Sequence, residues 1–245
     1  MKKILPIILL LAGILVIVGV YFFVVKDESK EVVVEGEGAA MIEVALADRP
    51  IVSLTPSADG YWLKLLIEKI VIDANSLDYE LLYKLPDGRT QGVPGIIKLT
   101  GQEEIERELL LGSESSGKFR YDEGVEEGSL TLRFRNEKGK LVAKFSTPFR
   151  LTTNTSSLRS ADGDFTYTLD EASDEYFVIM SVFGVPAVPL EETLAGPFGV
   201  FSSGDNRFPG EIILGGGPVY RWGGDSWVEL LDLSSIDIGI IVGTP

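Results

Sequence analysis

The sequence predicts a mainly β protein: a single N-terminal transmembrane helix, then a β-sandwich, then a smaller C-terminal β-rich module. Three observations carry that prediction. Apolar and polar side chains alternate over short runs, as in Leu130, Leu132 and Phe134 against Thr131, Arg133 and Arg135, which is the period-2 pattern of half-buried strands. Turn chemistry separates the runs, in a chain with 27 glycines and 12 prolines. One stretch, Ile4 to Val25, carries no charge over 22 residues.

That stretch comes first in the chain and predicts its own element. As a helix rising about 1.5 Å per residue it reaches roughly 33 Å, enough for a bilayer core of about 30 Å. Lys2 and Lys3 flank its start, while "KDESKE" after it is net acidic. The excess of positive charge at the start places the N-terminus in the cytoplasm and the rest of the chain outside the cell membrane. Tyr21, Phe22 and Phe23 fall at the outer interface. A cleaved signal peptide would have a shorter apolar core and a small-x-small site. "LAGI" lacks the cysteine of a lipoprotein box, with Ile14 in its place, and the processing site of a type IV pilin is missing.

Composition removes whole classes of chemistry. With no cysteine there is no disulfide, thiolate-metal site or thiol nucleophile. With no histidine the commonest general base and transition-metal ligand are gone. A formal charge of −15 opposes binding to nucleic acid or anionic membrane surfaces.

The expected organisation is a cytoplasmic tip and anchor over 1–25, a charged spacer over 26–41, a sandwich over 42–153, a linker over 154–163 and the C-terminal module over 164–245. Within the sandwich, "YWLKLLIEKIVID" fits both a helical ladder through Leu63, Leu66, Ile67 and Ile70 and a strand. Its β-branched ending and β-rich surroundings favour the strand. Tyr79, Leu81, Tyr83 and Leu85 form a one-faced strand ended by "PDGR" and followed by "TQGVPGIIKL", a predicted hairpin. Leu130 to Arg135 and Lys140 to Ser146 flank "NEKG" and predict a second, with the glycine in a left-handed position.

Residues Pro50 to Thr153 thus supply about seven short strands, the number expected of a small sandwich. In that pattern the region resembles the immunoglobulin-like or fibronectin-like ectodomains of membrane-anchored prokaryotic surface proteins. The resemblance implies a two-sheet sandwich and a role at the cell envelope. The disulfide and buried tryptophan of antibody domains are absent, with Trp62 available for a comparable core position.

Two catalytic look-alikes share one turn. Gly112 to Lys118 spells the first seven positions of a phosphate-binding P-loop, yet Phe119 stands where a hydroxyl must hold magnesium, and "FRYDEGVEEGSL" is not a helix start. No nucleotide is expected there. Ser115 to Lys118 matches S-x-x-K, but the companion motifs of penicillin-binding enzymes are missing. Carboxylates remain as chemistry. They cluster around Glu103 to Glu108, around Asp122 to Glu127 and from Asp162 to Glu175. Paired acids suit glycoside hydrolysis only within an aromatic-lined sugar cleft. Asp162, Asp164, Asp170 and Glu171 supply hard oxygen donors suited to calcium, without the EF-hand spacing.

In the C-terminal module, Phe165 to Leu169 and Tyr176 to Phe183 predict strands, the second apolar enough to be buried on both faces. "VYRWGGDSWVEL" resembles Y-x-W-x-G-x-x-W hairpins of phage tail fibres and surface proteins. In it Tyr220, Trp222 and Trp227 would clasp Gly223 and Gly224 as packing or as a ligand-stacking face. The tail "IDIGIIVGTP" predicts a strand that completes its own sheet or offers an edge to another chain. Together these features point to a non-enzymatic protein anchored in the lipid bilayer, with envelope proteins or glycans as partners. The alternative is a calcium-dependent carbohydrate-binding or carbohydrate-active module.

Overall fold

Strand wins over helix in the ambiguous segment because its neighbours pair with it on both sides. In the computed structural model, which describes residues 43–188 and 195–244, Leu63, Leu65 and Ile67 are fully buried on one face, and the strand stops at Lys69, whose φ is +58°. The predicted anchor at Ile4 to Val25 and the spacer at 26–41 lie outside the described residues. Among the described residues no helix is long and apolar enough to cross a membrane.

The first half of the described chain holds β1 (Ile51–Pro56), β2 (Trp62–Glu68), β3 (Ser76–Lys84), β4 (Thr90–Lys98), β5 (Glu104–Leu110), β6 (Gly112–Ser115), β7 (Lys118–Tyr121), β8 (Glu127–Arg135) and β9 (Leu141–Thr152). The second half holds β10 (Thr155–Arg159), β11 (Phe165–Ser173), β12 (Phe177–Ser181), β13 (Ala195–Ser202), β14 (Gly210–Leu214), β15 (Val219–Trp222), β16 (Trp227–Glu229), β17 (Ser234–Ser235) and β18 (Ile240–Gly243). The protein is mainly β, with every sheet antiparallel.

Both predicted hairpins form. β3 and β4 pair from Ser76↔Lys98 to Lys84↔Thr90, closed by Gly88 at φ +85°. β8 and β9 close through Asn136 to Lys140, where the Asn136 N–H donates to the Lys140 carbonyl at 2.9 Å and Gly139 has φ +73°. On the solvent side of β8, Arg133 and Arg135 reach Glu80 at 2.9 Å and Asp78 at 2.6 Å.

Strands β1-β2-β5 make a three-stranded sheet, and β4-β3-β8-β9 form one end of a nine-stranded sheet. A single apolar cluster draws Leu54, Leu65 and Ile105 from the first and Leu81, Leu132 and Phe149 from the second. Alternation in both sheets aims these side chains at one another, so two half-buried surfaces become one core. Trp62 does not join it. It lies half-buried on the outer face of β2, meeting Phe119 edge-on at 5.6 Å.

The nine-stranded sheet runs on through β9-β12-β13-β18-β15-β16. β12 is hydrogen-bonded to β9 on one side and β13 on the other, and its residues 177–180 are all buried. Val178 and Met180 enter the first cluster, while Phe177 and Ile179 enter a second cluster with Phe165, Tyr167 and Ile212 of the four-stranded sheet β10-β11-β14-β17. This is the strand predicted to be buried on both faces. Residues 154–163 differ from the expected linker: Thr155 to Arg159 are β10, paired with β11, because Leu158 is fully buried in the second cluster. Residues 42–245 accordingly form one unit. The tail strand β18 is internal, flanked by β13 and β15, and offers no edge to another chain.

Candidate functional site

The glycine-lysine turn that mimics a P-loop is a hairpin. β6 and β7 pair from Gly112↔Tyr121 to Ser115↔Lys118. Only Ser116 and Gly117 lie between them, both left-handed at φ +52° and +74°, as a two-residue hairpin loop requires. No helix follows Lys118, so neither the phosphate cradle nor the S-x-x-K arrangement is built. Ser115 and Lys118 face each other as a strand pair.

The four carboxylates proposed for calcium are not brought together. Asp162 sits in the turn between β10 and β11, accepting from Ser160 Oγ at 2.5 Å and from the Asp164 N–H at 3.1 Å. Its carboxylate is committed to closing that turn around Gly163. Asp170 and Glu171 lie at the other end of β11, about 20 Å along an extended strand at about 3.3 Å per residue. No single ion spans that separation, and among the described residues no group of three or more acidic, histidine or cysteine side chains is placed to hold a metal.

Tyr220, Trp222 and Trp227 do share one hairpin. Trp222 pairs directly with Trp227 across β15 and β16, their rings meeting at 5.3 Å and 69°. The Gly223 N–H donates to the Ser226 carbonyl at 2.9 Å. Trp227 also donates its indole N–H to the Ala187 carbonyl at 2.8 Å, so both tryptophans are held in place by packing. Tyr220 lies two residues from Trp222 on the same side of β15.

A second aromatic group was not read from the sequence. Tyr61 stacks on Tyr121 at 4.5 Å and 22°, and Phe119 lies 6.3 Å from Tyr121 with nearly parallel rings. Phe119 and Tyr121 are still 47% and 40% exposed. Beside them opens a cleft of about 560 Å³ whose walls include Asp59 to Tyr61, Asp122 to Glu127 and Arg150. Tyr176, just before β12, packs on Gly60, where any Cβ would overlap its ring.

The cleft is electrostatically one-sided. Hydrogen bonds from Ser57 Oγ at 2.6 Å and from the Tyr61 N–H at 3.1 Å hold the Asp59 carboxyl below the usual carboxylate range. Asp122 accepts from the buried Tyr83 hydroxyl at 2.8 Å, and burial first, then this carboxylate, push the Tyr83 phenol far up. Glu127 is ion-paired to Lys84 at 2.7 Å, which lowers its pKa. Sequence reasoning grouped Asp122, Glu123, Glu126 and Glu127 as a charge cluster. What it lacked was the fold that carries Asp59, Tyr61, Arg150 and Tyr176 to the same place.

No protein-family profile, curated protein or solved structure matches this chain.

Proposed function

We propose that the protein is a single-pass, membrane-anchored envelope protein whose extracytoplasmic β-rich region acts by binding, in adhesion, assembly or scaffolding, and not by catalysis. The observation that carries this reading is the uncharged run from Ile4 to Val25, with Lys2 and Lys3 before it and an acidic chain after it. The absence of histidine and cysteine from the whole sequence points the same way.

The strand order supports an immunoglobulin-like or fibronectin-like sandwich for the first half. β1-β2-β5 and β3-β8-β9 correspond to the A-B-E and C-F-G strands of the immunoglobulin arrangement, set aside the β6–β7 hairpin. β4 departs from the constant-type order by pairing with β3 instead of extending the first sheet. Such sandwiches hold binding surfaces on rigid sheets, with loops and insertions doing the recognition.

Topology tests this directly. A tag at the C-terminus of the full chain, expressed in a bacterial host, is expected to stay with the membrane fraction and to be removed by protease added to spheroplasts. A protected tag would overturn the orientation, and a tag in the soluble fraction would overturn the anchor. Turnover of a glycan or peptide by the purified chain would overturn the non-catalytic role.

A further inference from the structure

The aromatic face of the β6–β7 hairpin is not needed to fill the core beneath it. That core is closed by Leu63, Leu65, Ile105 and Leu109, which point inward from β2 and β5, whereas Trp62 and the hairpin lie on the outer face. Alternation along β7 puts Phe119 and Tyr121 on one side and Lys118 and Arg120 on the other. Large rings left 47% and 40% exposed, and joined by stacking to Tyr61 in the cleft wall, are an unusual use of aromatic surface in a folded chain.

The charge of the adjoining cleft selects the occupant. Five carboxylates, Asp59, Asp122, Glu123, Glu126 and Glu127, line it against the single guanidinium of Arg150. Glu127 is neutralised by Lys84, while Glu123 and Glu126 have no ion pair among the described residues. A neutral ligand lying across this surface would desolvate carboxylates without a countercharge, which is costly. An anionic ligand would be repelled. A cationic side chain satisfies both halves of the surface: its charge meets the carboxylates, and the face of Tyr121 or Phe119 attracts a guanidinium or ammonium through the ring quadrupole.

We infer that the Tyr61–Tyr121–Phe119 ledge and the adjoining acidic cleft form a docking surface for a basic, arginine- or lysine-bearing segment of a partner protein. This deepens the binding role proposed above and rests on it. One basic head lies over a ring face while a neighbouring one enters the cleft. Arg150 stands among the carboxylates in the cleft wall, and Lys84 holds Glu127 beside it.

The test uses the full-length chain in mild detergent and a fluorescein-labelled nonapeptide of alternating arginine and glycine, with a citrulline-for-arginine peptide as the neutral control. Fluorescence anisotropy is expected to show binding of the arginine peptide, weakened by roughly tenfold or more with citrulline and by added salt. Tyr121→Leu and Phe119→Leu are each expected to weaken binding by about threefold to tenfold, with Tyr121→Phe retaining it. Glu123→Gln with Glu126→Gln should weaken it similarly, while Glu137→Gln, in the β8–β9 turn at the opposite end of β8 from Glu127, should leave it unchanged.

Equal loss with Glu137→Gln would mean diffuse attraction to an acidic protein and overturn the inference. So would undiminished binding in Tyr121→Leu, equal binding of the citrulline peptide, or competition by a neutral oligosaccharide such as cellohexaose. No peptide binding by a chain that passes the topology test sinks this inference and leaves the envelope role standing. A failed topology test removes the envelope role whatever the peptide does.

Discussion

The two halves of the described chain build their cores from different materials. In the first cluster, four of 23 buried residues are aromatic, Tyr83, Phe134, Phe149 and Phe183, and most of the rest are aliphatic side chains from strands of strict alternation. In the second, five of 14 are aromatic, and they meet in defined pairs: Phe165 stacks on Phe198 at 5.0 Å, and Phe177 meets Phe208 edge-on at 4.9 Å. A small core filled by few large rings has little room for compensation, because each ring needs a particular orientation and a small neighbour. Gly210 supplies that neighbour for Tyr167, whose ring occupies the space a Cβ would take. Away from Phe149, whose ring fills the space a Cβ on Gly128 would take, the larger aliphatic core is expected to tolerate exchange better, since volume there is divided among many interchangeable side chains.

β12 offers the strongest way to break this contrast, since its alternate residues enter both cores. Phe177→Ala should cost about 3 to 5 kcal/mol and Met180→Ala about 2 to 5, with the whole described region unfolding together in either case. Hydrogen exchange read separately in β3 and β8 and in β11 and β14 checks it. If Phe177→Ala loosened only β11 and β14, the two cores would be independent.

The glycines come next. Gly210→Ala places a methyl against the Thr168 carbonyl and the Tyr167 ring and should cost about 1 to 3 kcal/mol as overpacking. Gly88→Ala in the β3–β4 turn meets open space and is opposed only by its φ of +85°, so about 1 kcal/mol is expected. Urea denaturation of both variants would sharpen the comparison. Equal losses would mean that the Tyr167 ring gives way to the added methyl.

Each half also buries a tyrosine hydroxyl. Tyr83 donates to Asp122 at 2.8 Å and Tyr167 to the Phe208 carbonyl at 2.7 Å. Replacing either with Phe should cost about 1 kcal/mol at neutral pH. Burial, the largest cause, pushes Tyr167 up to about 12 and Tyr83 also upward. A folded pKa above the unfolded value of about 10 means the folded state holds its proton longer, so this stability is complete below pH 10 and is lost as pH climbs through the folded values. Denaturation midpoints measured from pH 9 to 12 should therefore fall less steeply in Tyr167→Phe than in the parent chain.

A smaller effect of the opposite sign is expected on the outer face of β2. Glu68 stands directly opposite Glu104 across β2 and β5, and burial, then that like charge, raise its pKa. Its favourable contribution is present when it is protonated and lost as pH rises through its folded pKa. Glu68→Gln should thus stabilise the chain by a few tenths of a kcal/mol at pH 7, with the gain vanishing in acid. The smallest expected effect is that of calcium: at millimolar concentration it should leave the thermal midpoint unmoved, and a clear upward shift would mean the dispersed carboxylates assemble after all.

What could be read from the sequence followed local periodicity. The β3–β4 and β8–β9 hairpins announce themselves by alternation and glycine turns, and β12 by an apolar run too continuous for a one-faced strand. β10 was hidden because "TSSLR" has one apolar residue, Leu158, whose burial depends on partners from β11 and beyond. The four carboxylates grouped for calcium lie apart because sequence proximity is stretched by strand geometry, with Asp164 just before β11 and Asp170 well along it. The converse holds for the cleft. Tyr61, Tyr121 and Tyr176 are far apart in the chain and carry no common motif, so only the fold reveals their neighbourhood.

The placement of β12 bears on whether such a chain can be divided. Tandem domains are separable where an exposed linker joins them and few contacts cross it. Here a cut after Thr152 would strip β9 of a hydrogen-bonded neighbour and leave the first core without Val178 and Met180, while the severed piece would bear those same side chains uncovered. Neither half is therefore a self-contained piece, and a change on either side of β12 is judged by both cores.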